Sequence, residues 1–471
     1  MPTRRTMISS LAAGAALASL PAAARMRVER YTADAASLSA HPLPRWFDDA
    51  KLGIFIHWGL YSIPAFAPLG PNAQPAAPDM MRYNPYAEWY ANTMQFPDSE
   101  TAAYHRTHYG SAPYSDFAAP FEAAAARTDF AAWARTFSRA GARYVTLVTK
   151  HHDGFALWPS STANPERPGW HSKTDIVGKL AAAVRAQEMR FGTYYSGGLD
   201  WSIAPGRVDN GGAMFRSMPG DDRYDAYVAA HYRELIARAA PDYLWNDIGY
   251  PAEASSFRLM ADFYNGNPDG VINDRWQPAR ETFAGTPDEI RARLIAFRRA
   301  LADHRPPPPK HYDVITPEYA TELKPMEKKW EATRGIGFSF GYNAREADAS
   351  LLSAQALIHL LVDCTARGGN LLLNVGPRGD GSLCPMQVAR LDALGAFLRD
   401  NGEAIYATRP WHTPAATGLD GRQVRFTTRG RRVYAITLDG EPTWPRLAGD
   451  LPQRAKPLGP AGGHARAWRV R

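Results

Sequence analysis

From about residue 125 the chain alternates helical stretches with short apolar runs, and few folds accommodate that pattern. Phe130 to Ala140 reads as a helix and Arg143 to Thr149 as a buried strand. The pair recurs as Asp175 to Gln187 with Arg190 to Ser196, and as Tyr224 to Ala239 with Asp242 to Asp247. It recurs again as Phe257 to Tyr264 with Gly270 to Arg275, and as Leu351 to Ala366 with Gly369 to Val375. An earlier strand runs from Leu52 to His57. Strands alternating with helices of this length imply parallel βαβ units.

Several of these strands end on polar groups: His57, His151 with His152, Tyr194, Asp247 and Arg275. In parallel α/β architectures the functional face lies at the carboxyl ends of the strands. Core packing does not call for polar endings on so many independent strands. The pattern therefore favours a (β/α)8-like barrel over a doubly wound sheet. A barrel needs ~250 residues, and the chain has 471. After Asn401-Gly402 the period changes: Arg422 to Thr428 alternates, and Arg432 to Leu438 follows a Gly-containing turn. This reads as a hairpin inside a small C-terminal β-sandwich domain. The expected organisation is an export signal at 1–24, a (β/α) barrel at 27–405 and a β domain at 409–471. The Pro-rich segment Asp303 to Pro309 reads as a loop.

The first 24 residues carry Arg4 and Arg5, a weakly apolar stretch from Met7 to Leu20, then Ala22-Ala23-Ala24, with no acidic residue before Glu29. That is the layout of a bacterial export signal of the twin-arginine kind, so the mature protein is expected in the periplasm or outside the cell. No further membrane-spanning candidate is read, so no membrane partner is expected once the signal is removed. The net charge of +7 comes from scattered Arg rather than a basic run, so no nucleic-acid footprint is present. The two cysteines, Cys364 and Cys384, make neither a disulfide framework nor a metal cluster and are expected as unpaired thiols. Thirteen Trp and 22 Tyr fit a large aromatic core, and the same faces can stack on sugar rings.

Asp247 closes Asp242-Tyr243-Leu244-Trp245-Asn246-Asp247. A carboxylate ending an apolar strand is costly unless it caps a helix, here one near Pro251, or faces a site. A retaining glycosidase needs one nucleophilic carboxylate and a second carboxyl ~5–5.5 Å away. Glu318, Glu331, Glu88 and Asp200 are candidates for the second, and spacing does not choose among them. His151-His152-Asp153 ends a strand, where adjacent side chains point to opposite faces, so joint metal ligation needs a bend. A metal-dependent barrel hydrolase is the rival reading. Arg275 could pair with a carboxylate.

These residues belong to longer runs: Trp46-Phe47, Gly53-Ile54-Phe55-Ile56-His57-Trp58-Gly59, Asn84-Pro85-Tyr86-Ala87-Glu88-Trp89-Tyr90, Lys150-His151-His152-Asp153-Gly154-Phe155, Tyr194 to Trp201, Leu244 to Asp247, Trp330-Glu331, Gly341-Tyr342-Asn343, and Gly369 to Pro377. In this order they resemble the α-L-fucosidases of glycoside hydrolase family 29, over about Trp46 to Thr408. The resemblance implies a barrel-like catalytic domain followed by a β-sandwich, a fucosylated glycan as substrate, and no cofactor or metal. It implies Asp247 as nucleophile and, through Thr316-Pro317-Glu318-Tyr319, Glu318 as acid/base. Implied fucose contacts are His57, Trp89, His151, His152, Tyr194, Trp245 and Arg275. Phe55 and Phe340 match positions packing on the sugar's methyl group, and Glu88 a hydroxyl-binding carboxylate. A non-catalytic fucose-binding protein on the same scaffold is the alternative from another class.

Overall fold

The computed structural model describes residues 30–70, 79–302, 308–320, 323–438, 447–448, 451–452, 454–459 and 463–470. The expected export signal lies outside the described residues, as do 303–307 of the Pro-rich loop.

Seven parallel strands form one curled sheet: β1 (Leu52–Ile56), β2 (Tyr144–Lys150), β3 (Arg190–Ser196), β4 (Tyr243–Asp247), β5 (Val271–Ile272), β6 (Glu331–Gly335) and β7 (Asn370–Val375). Their order is β5-β4-β3-β2-β1-β7-β6. The two edges, β5 and β6, are joined by residues 313–319. Asp313 and Val314 donate their N–H groups to Ile272 O (2.9 and 3.2 Å), Ile315 to Lys329 O (2.9 Å), and Tyr319 to Thr333 O (3.0 Å). Among the described residues this segment covers both edges of the sheet, and it carries Glu318.

Helices cover the outside. Asp129, Asp175, Asp221 and Ser353 cap Phe130–Arg139, Ile176–Arg185, Asp222–Ala239 and Ala354–Ala366, each accepting a first-turn backbone N–H. Such caps contribute ~1 kcal/mol apiece. The inward faces are the expected ones: Phe130, Trp133 and Phe137 in one helix, Ile176, Leu180 and Val184 in the next.

Three departures from the sequence reading have physical causes. The strand expected at Gly270 to Arg275 is only Val271–Ile272. Asn273 ends it: its Oδ1 accepts Asn246 N–H and its Nδ2 donates to Asn246 O, both at 2.9 Å, replacing the ladder and releasing the backbone before Arg275. Strand β6 went unread because Glu-Ala-Thr-Arg-Gly has almost no apolar signal. Third, Asp348–Ala366 is long and apolar enough for a membrane span by composition, although none was expected after the signal. It is a core element here, with Leu357, Ile358, Leu361 and Val362 buried. Helices Pro287–Ala302 and Pro385–Asn401 also went unread.

Two apolar layers follow. Most of the core lies between sheet and helices, and a second cluster fills the barrel: Phe47, Phe55, Tyr144, Val148, Tyr194, Tyr243, Trp245 and Leu372. At its floor Glu331 is fully buried and accepts the Tyr144 hydroxyl and the Tyr243 hydroxyl, the latter at 3.1 Å. Gly53 is required beside it, because a Cβ there would collide with the Tyr144 ring. Downstream, β8 (Arg409–Thr417), β9 (Gln423–Arg429), β10 (Arg432–Thr437), β11 (Lys456–Pro457) and β12 (Arg466–Arg469) form an antiparallel sheet, order β11-β12-β10-β9-β8. The expected hairpin is β9–β10. Cys364 and Cys384 are both free and buried.

Candidate active site

Alternation along β4 turns Tyr243, Trp245 and Asp247 into the barrel, one above another. Asp247 is therefore at the open, carboxyl end. It does not cap the following helix, whose N-cap is Ala252. Instead its Oδ2 accepts the Tyr194 hydroxyl at 2.7 Å and its Oδ1 accepts Arg275 NH1 at 3.1 Å. Burial pushes the Tyr194 phenol well above its usual range, and the charge of Asp247 adds to this, so it stays a donor.

Arg275 organises the centre. Its NH2 donates to Glu318 Oε2 at 3.1 Å and to Thr316 O at 3.1 Å, and its Nε donates to Thr316 Oγ1 at 3.2 Å. Thr316 in turn donates its hydroxyl to Asp274 Oδ1 at 2.6 Å. Burial alone would lower the guanidinium's pKa, but Glu318, Asp247 and Asp274 together raise it. The Arg275 guanidinium also lies 4.7 Å over the Trp245 ring. One planar fork thus holds Asp247 and Glu318 side by side. The residue after each carboxylate lies in the left-handed region: Ile248 at φ 58° and Tyr319 at φ 48°. Such strain costs ~1–3 kcal/mol per residue and concentrates where a site over-determines the backbone.

The other candidate carboxylates are placed elsewhere. Glu331 lies at the barrel floor, paired in register with Asn370 at the start of β7, so it faces away from the open end. Asp200 is consumed by a fully buried ion pair with Lys150 at 2.8 Å. Glu88 sits in the wall, accepting Gly341 N–H at 2.7 Å. Burial raises its pKa to about 8. At neutral pH it is therefore a protonated acid that can donate a hydrogen bond to a bound ligand. As pH rises through about 8 it ionises and that donor is lost, so KM for a substrate that accepts its hydrogen bond is expected to rise there. In Glu88→Gln, a pH-independent donor, that rise should vanish; an unchanged KM profile in the variant would contradict this role.

The histidines line the same space. Asn374 Nδ2 donates to Phe340 O at 2.5 Å, which turns its Oδ1 to His57 Nδ1 at 2.6 Å and assigns the proton to that nitrogen. Ser196 donates its hydroxyl to Leu199 O at 2.7 Å, so its oxygen accepts His152 Nδ1–H at 2.7 Å. Each ring then presents Nε2 as an acceptor. Burial lowers the pKa to about 3 for His57 and about 4 for His152, and well below the usual value for His151, so all three are neutral. The expectation that His151 and His152 face opposite ways is corrected: β2 ends at Lys150, the chain bends, and the rings lie 3.9 Å apart. The buried Nδ1 of His151 has no hydrogen-bond partner among the described residues. Such an atom costs ~1–3 kcal/mol, which a hydrogen-bonding ligand would relieve. Among the described residues no three His, Cys, Asp or Glu side chains gather as a metal-binding group.

Aromatic rings complete the pocket. Phe340 stacks on His57 (4.9 Å, 28°) and lies 6.4 Å from Phe55. Trp245 stacks on Tyr194 (5.3 Å), and Trp89 meets His152 edge-on (5.1 Å). Twelve residues read from sequence are thus one contiguous group: Phe55, His57, Glu88, Trp89, His151, His152, Tyr194, Trp245, Asp247, Arg275, Glu318 and Phe340. Sequence reasoning missed Asn374, Ser196, Thr316 and Trp201, the last edge-on to both Trp89 and His152. Only Asn374 carried a signal, as a polar residue within an apolar strand.

The family model described as Alpha-L-fucosidase matches residues 18–403. The tissue α-L-fucosidase of Homo sapiens is 31% identical, over 88% of this chain and 79% of that protein, and that of Bos taurus 31%, over 88% and 78%. The crystal structure of the Thermotoga maritima α-fucosidase in complex with fucose superposes with TM-score 0.76 at 36% identity, covering 94% of this chain and 96% of that one.

Proposed function

The chain belongs to the α-L-fucosidase family of glycoside hydrolases, and we propose that it is a retaining exo-enzyme that releases terminal α-L-fucosyl residues by double displacement. The observation that carries this reading is the Arg275 fork with Asp247 on one terminal nitrogen and Glu318 on the other. Retaining enzymes need two carboxyl groups at close range, ~5–5.5 Å, whereas inverting enzymes leave room for a water between them.

In the first step an Asp247 oxygen attacks the anomeric carbon while Glu318 transfers its proton to the leaving oxygen. In the second, Glu318 takes a proton from water, the water oxygen attacks the same carbon, and the bond to Asp247 breaks. Two inversions give retention. Tyr194 and Arg275 hold Asp247 in place through both steps. The Nε2 acceptors of His57 and His152, with His151, Trp89, Trp245 and the neutral acid of Glu88, bind the sugar's hydroxyls and apolar face. Phe55 and Phe340 meet its methyl group, where a hydroxylated analogue is disfavoured by ~1–3 kcal/mol. The Thermotoga maritima relative crystallised with fucose supports fucose as the bound sugar. We further propose export to the periplasm or beyond, on the Arg4-Arg5 segment and the Ala22-Ala23-Ala24 that follows it.

Proton NMR of the first-formed sugar tests the mechanism. Retention predicts α-L-fucose first, mutarotating later to the β anomer. Initial release of β-L-fucose would overturn the double displacement.

A further inference from the structure

A guanidinium is a planar fork at the end of a long flexible stem. Aiming one terminal nitrogen at Asp247 and the other at Glu318 requires its plane to be set by something besides those two side chains. The hold is on the inner edge of the fork. Arg275 Nε donates to Thr316 Oγ1 at 3.2 Å, and NH2 donates to Thr316 O at 3.1 Å. One residue thus accepts at both positions of that edge. The outer edge is left to the carboxylates, NH1 to Asp247 and NH2 to Glu318, each at 3.1 Å.

The hold depends on the direction of one proton. A threonine hydroxyl carries a single hydrogen and turns about its C–O bond. Turned toward Arg275, it would set a donor against a donor. Asp274 prevents this. Its Oδ1 accepts the Thr316 hydroxyl at 2.6 Å and the Thr316 N–H at 3.1 Å, which leaves the hydroxyl lone pairs for Nε. Thr316 and Asp274 are both buried, so water does not compete for these bonds. What position 274 must supply is an oxygen acceptor, and an amide oxygen serves as well as a carboxylate.

The same contact places the acid. Thr316 and Glu318 are two residues apart in a stretch bridged to Trp330 through Ile315 and to Thr333 through Glu318. Alternation along an extended chain brings both to the Arg275 side. Asp274 and Arg275 follow Asn273, whose side chain bonds the backbone N–H and C=O of Asn246, the residue before Asp247. The backbone beneath Asp247 is thereby joined, through Thr316, to the segment that carries Glu318.

We propose that Thr316 and Asp274 are positioning residues of the reaction: the Asp274 carboxyl orients the Thr316 hydroxyl, the hydroxyl fixes the plane of Arg275, and that plane sets Asp247 and Glu318 at the separation the chemistry needs. Both act through Arg275 rather than on the sugar. The assignment rests on the double displacement proposed above.

The test is steady-state hydrolysis of 4-nitrophenyl α-L-fucoside, with free fucose as competitive inhibitor. In Thr316→Val, kcat is expected to fall ~10- to 100-fold, the cost of a reacting group displaced by about 1 Å. Thr316→Ala should do the same, and it decides the matter if the valine variant does not fold. KM and the inhibition constant of fucose should stay within about threefold, because the sugar's other contacts are intact. Thr316→Ser restores the hydroxyl and should bring kcat back to within about threefold of the unmodified protein. Asp274→Asn should also keep kcat within about threefold, whereas Asp274→Ala should lose as much as Thr316→Val. The double variant Thr316→Val with Asp274→Ala should fall no further than either single one, because both remove the same bond to Nε. A serine variant as slow as the valine one, a valine variant as fast as the unmodified protein, or losses that add in the double variant overturn the assignment. If the unmodified protein does not hydrolyse the aryl fucoside, the glycosidase reading fails and takes this assignment with it, a result distinct from any ratio between variants.

Discussion

Replacing Asp247 by alanine is expected to lower kcat/KM for an aryl α-L-fucoside about 10,000-fold, equivalent to about 5.5 kcal/mol of lost transition-state stabilisation. The loss is large because no neighbour can substitute. Tyr194 and Arg275, the two groups that touch Asp247, are a hydroxyl donor and a cation. Both point at the position an anion occupies; burial keeps the phenol protonated and the guanidinium is a cation, so neither supplies an anionic nucleophile. Azide is expected to occupy the vacated space, held by the same Arg275 and Tyr194, and to attack the anomeric carbon once. The product is then a fucosyl azide of inverted configuration, because one displacement has been removed. The measurement is turnover with and without azide, with the anomer assigned by NMR. Activity near that of the unmodified protein would remove Asp247 from the mechanism.

Glu318→Ala is expected to have the second-largest effect, and its size should depend on the leaving group. A general acid contributes about 100- to 10,000-fold when the departing oxygen is a poor leaving group. Hydrolysis of a fucosyl disaccharide should fall by that amount, whereas formation of the fucosyl-enzyme from an activated aryl fucoside should be nearly spared and its breakdown slowed. A burst of nitrophenol followed by slow turnover is the expected signature. Glu331→Ala provides the contrast. It should show no such dependence, because Glu331 lies beneath the pocket under Tyr144 and Tyr243. Its loss should appear as lower stability, by about 1–3 kcal/mol for two hydroxyls left without their acceptor. Should the leaving-group dependence appear in Glu331→Ala instead, the acid/base assignment would move.

Much of the barrel was legible because its signal is local. Buried parallel strands are continuous apolar runs, and amphipathic helices repeat every few residues, so five βα pairs could be read without any long-range information. The polar groups at the strand ends were equally plain, since nothing in a barrel core calls for them. Strand β6 escaped because its residues pair on both sides and carry charge: Glu331 and Arg334 leave no apolar run to read. The truncation of β5 escaped because it depends on Asn273 bonding to Asn246, 27 residues away.

For the site the division falls in the same place. Strand period and apolar pattern are local properties, and they place Asp247 at the end of an apolar strand on the carboxyl side. Spacing did not rank Glu318, Glu331, Glu88 and Asp200; the resemblance around Thr316-Pro317-Glu318-Tyr319 pointed to Glu318, but nothing local says which carboxyl lies at the floor, in the wall or at the mouth. Contacts between residues far apart in the chain make that distinction. Segment 313–319 closes the ring and carries Glu318 to the second prong of Arg275, while Tyr144 and Tyr243 hold Glu331 at the opposite end. Charge and hydrogen bonding act over a few ångström in space whatever the separation along the chain, so the position of each carboxyl group relative to Asp247 could be read only once the chain was folded.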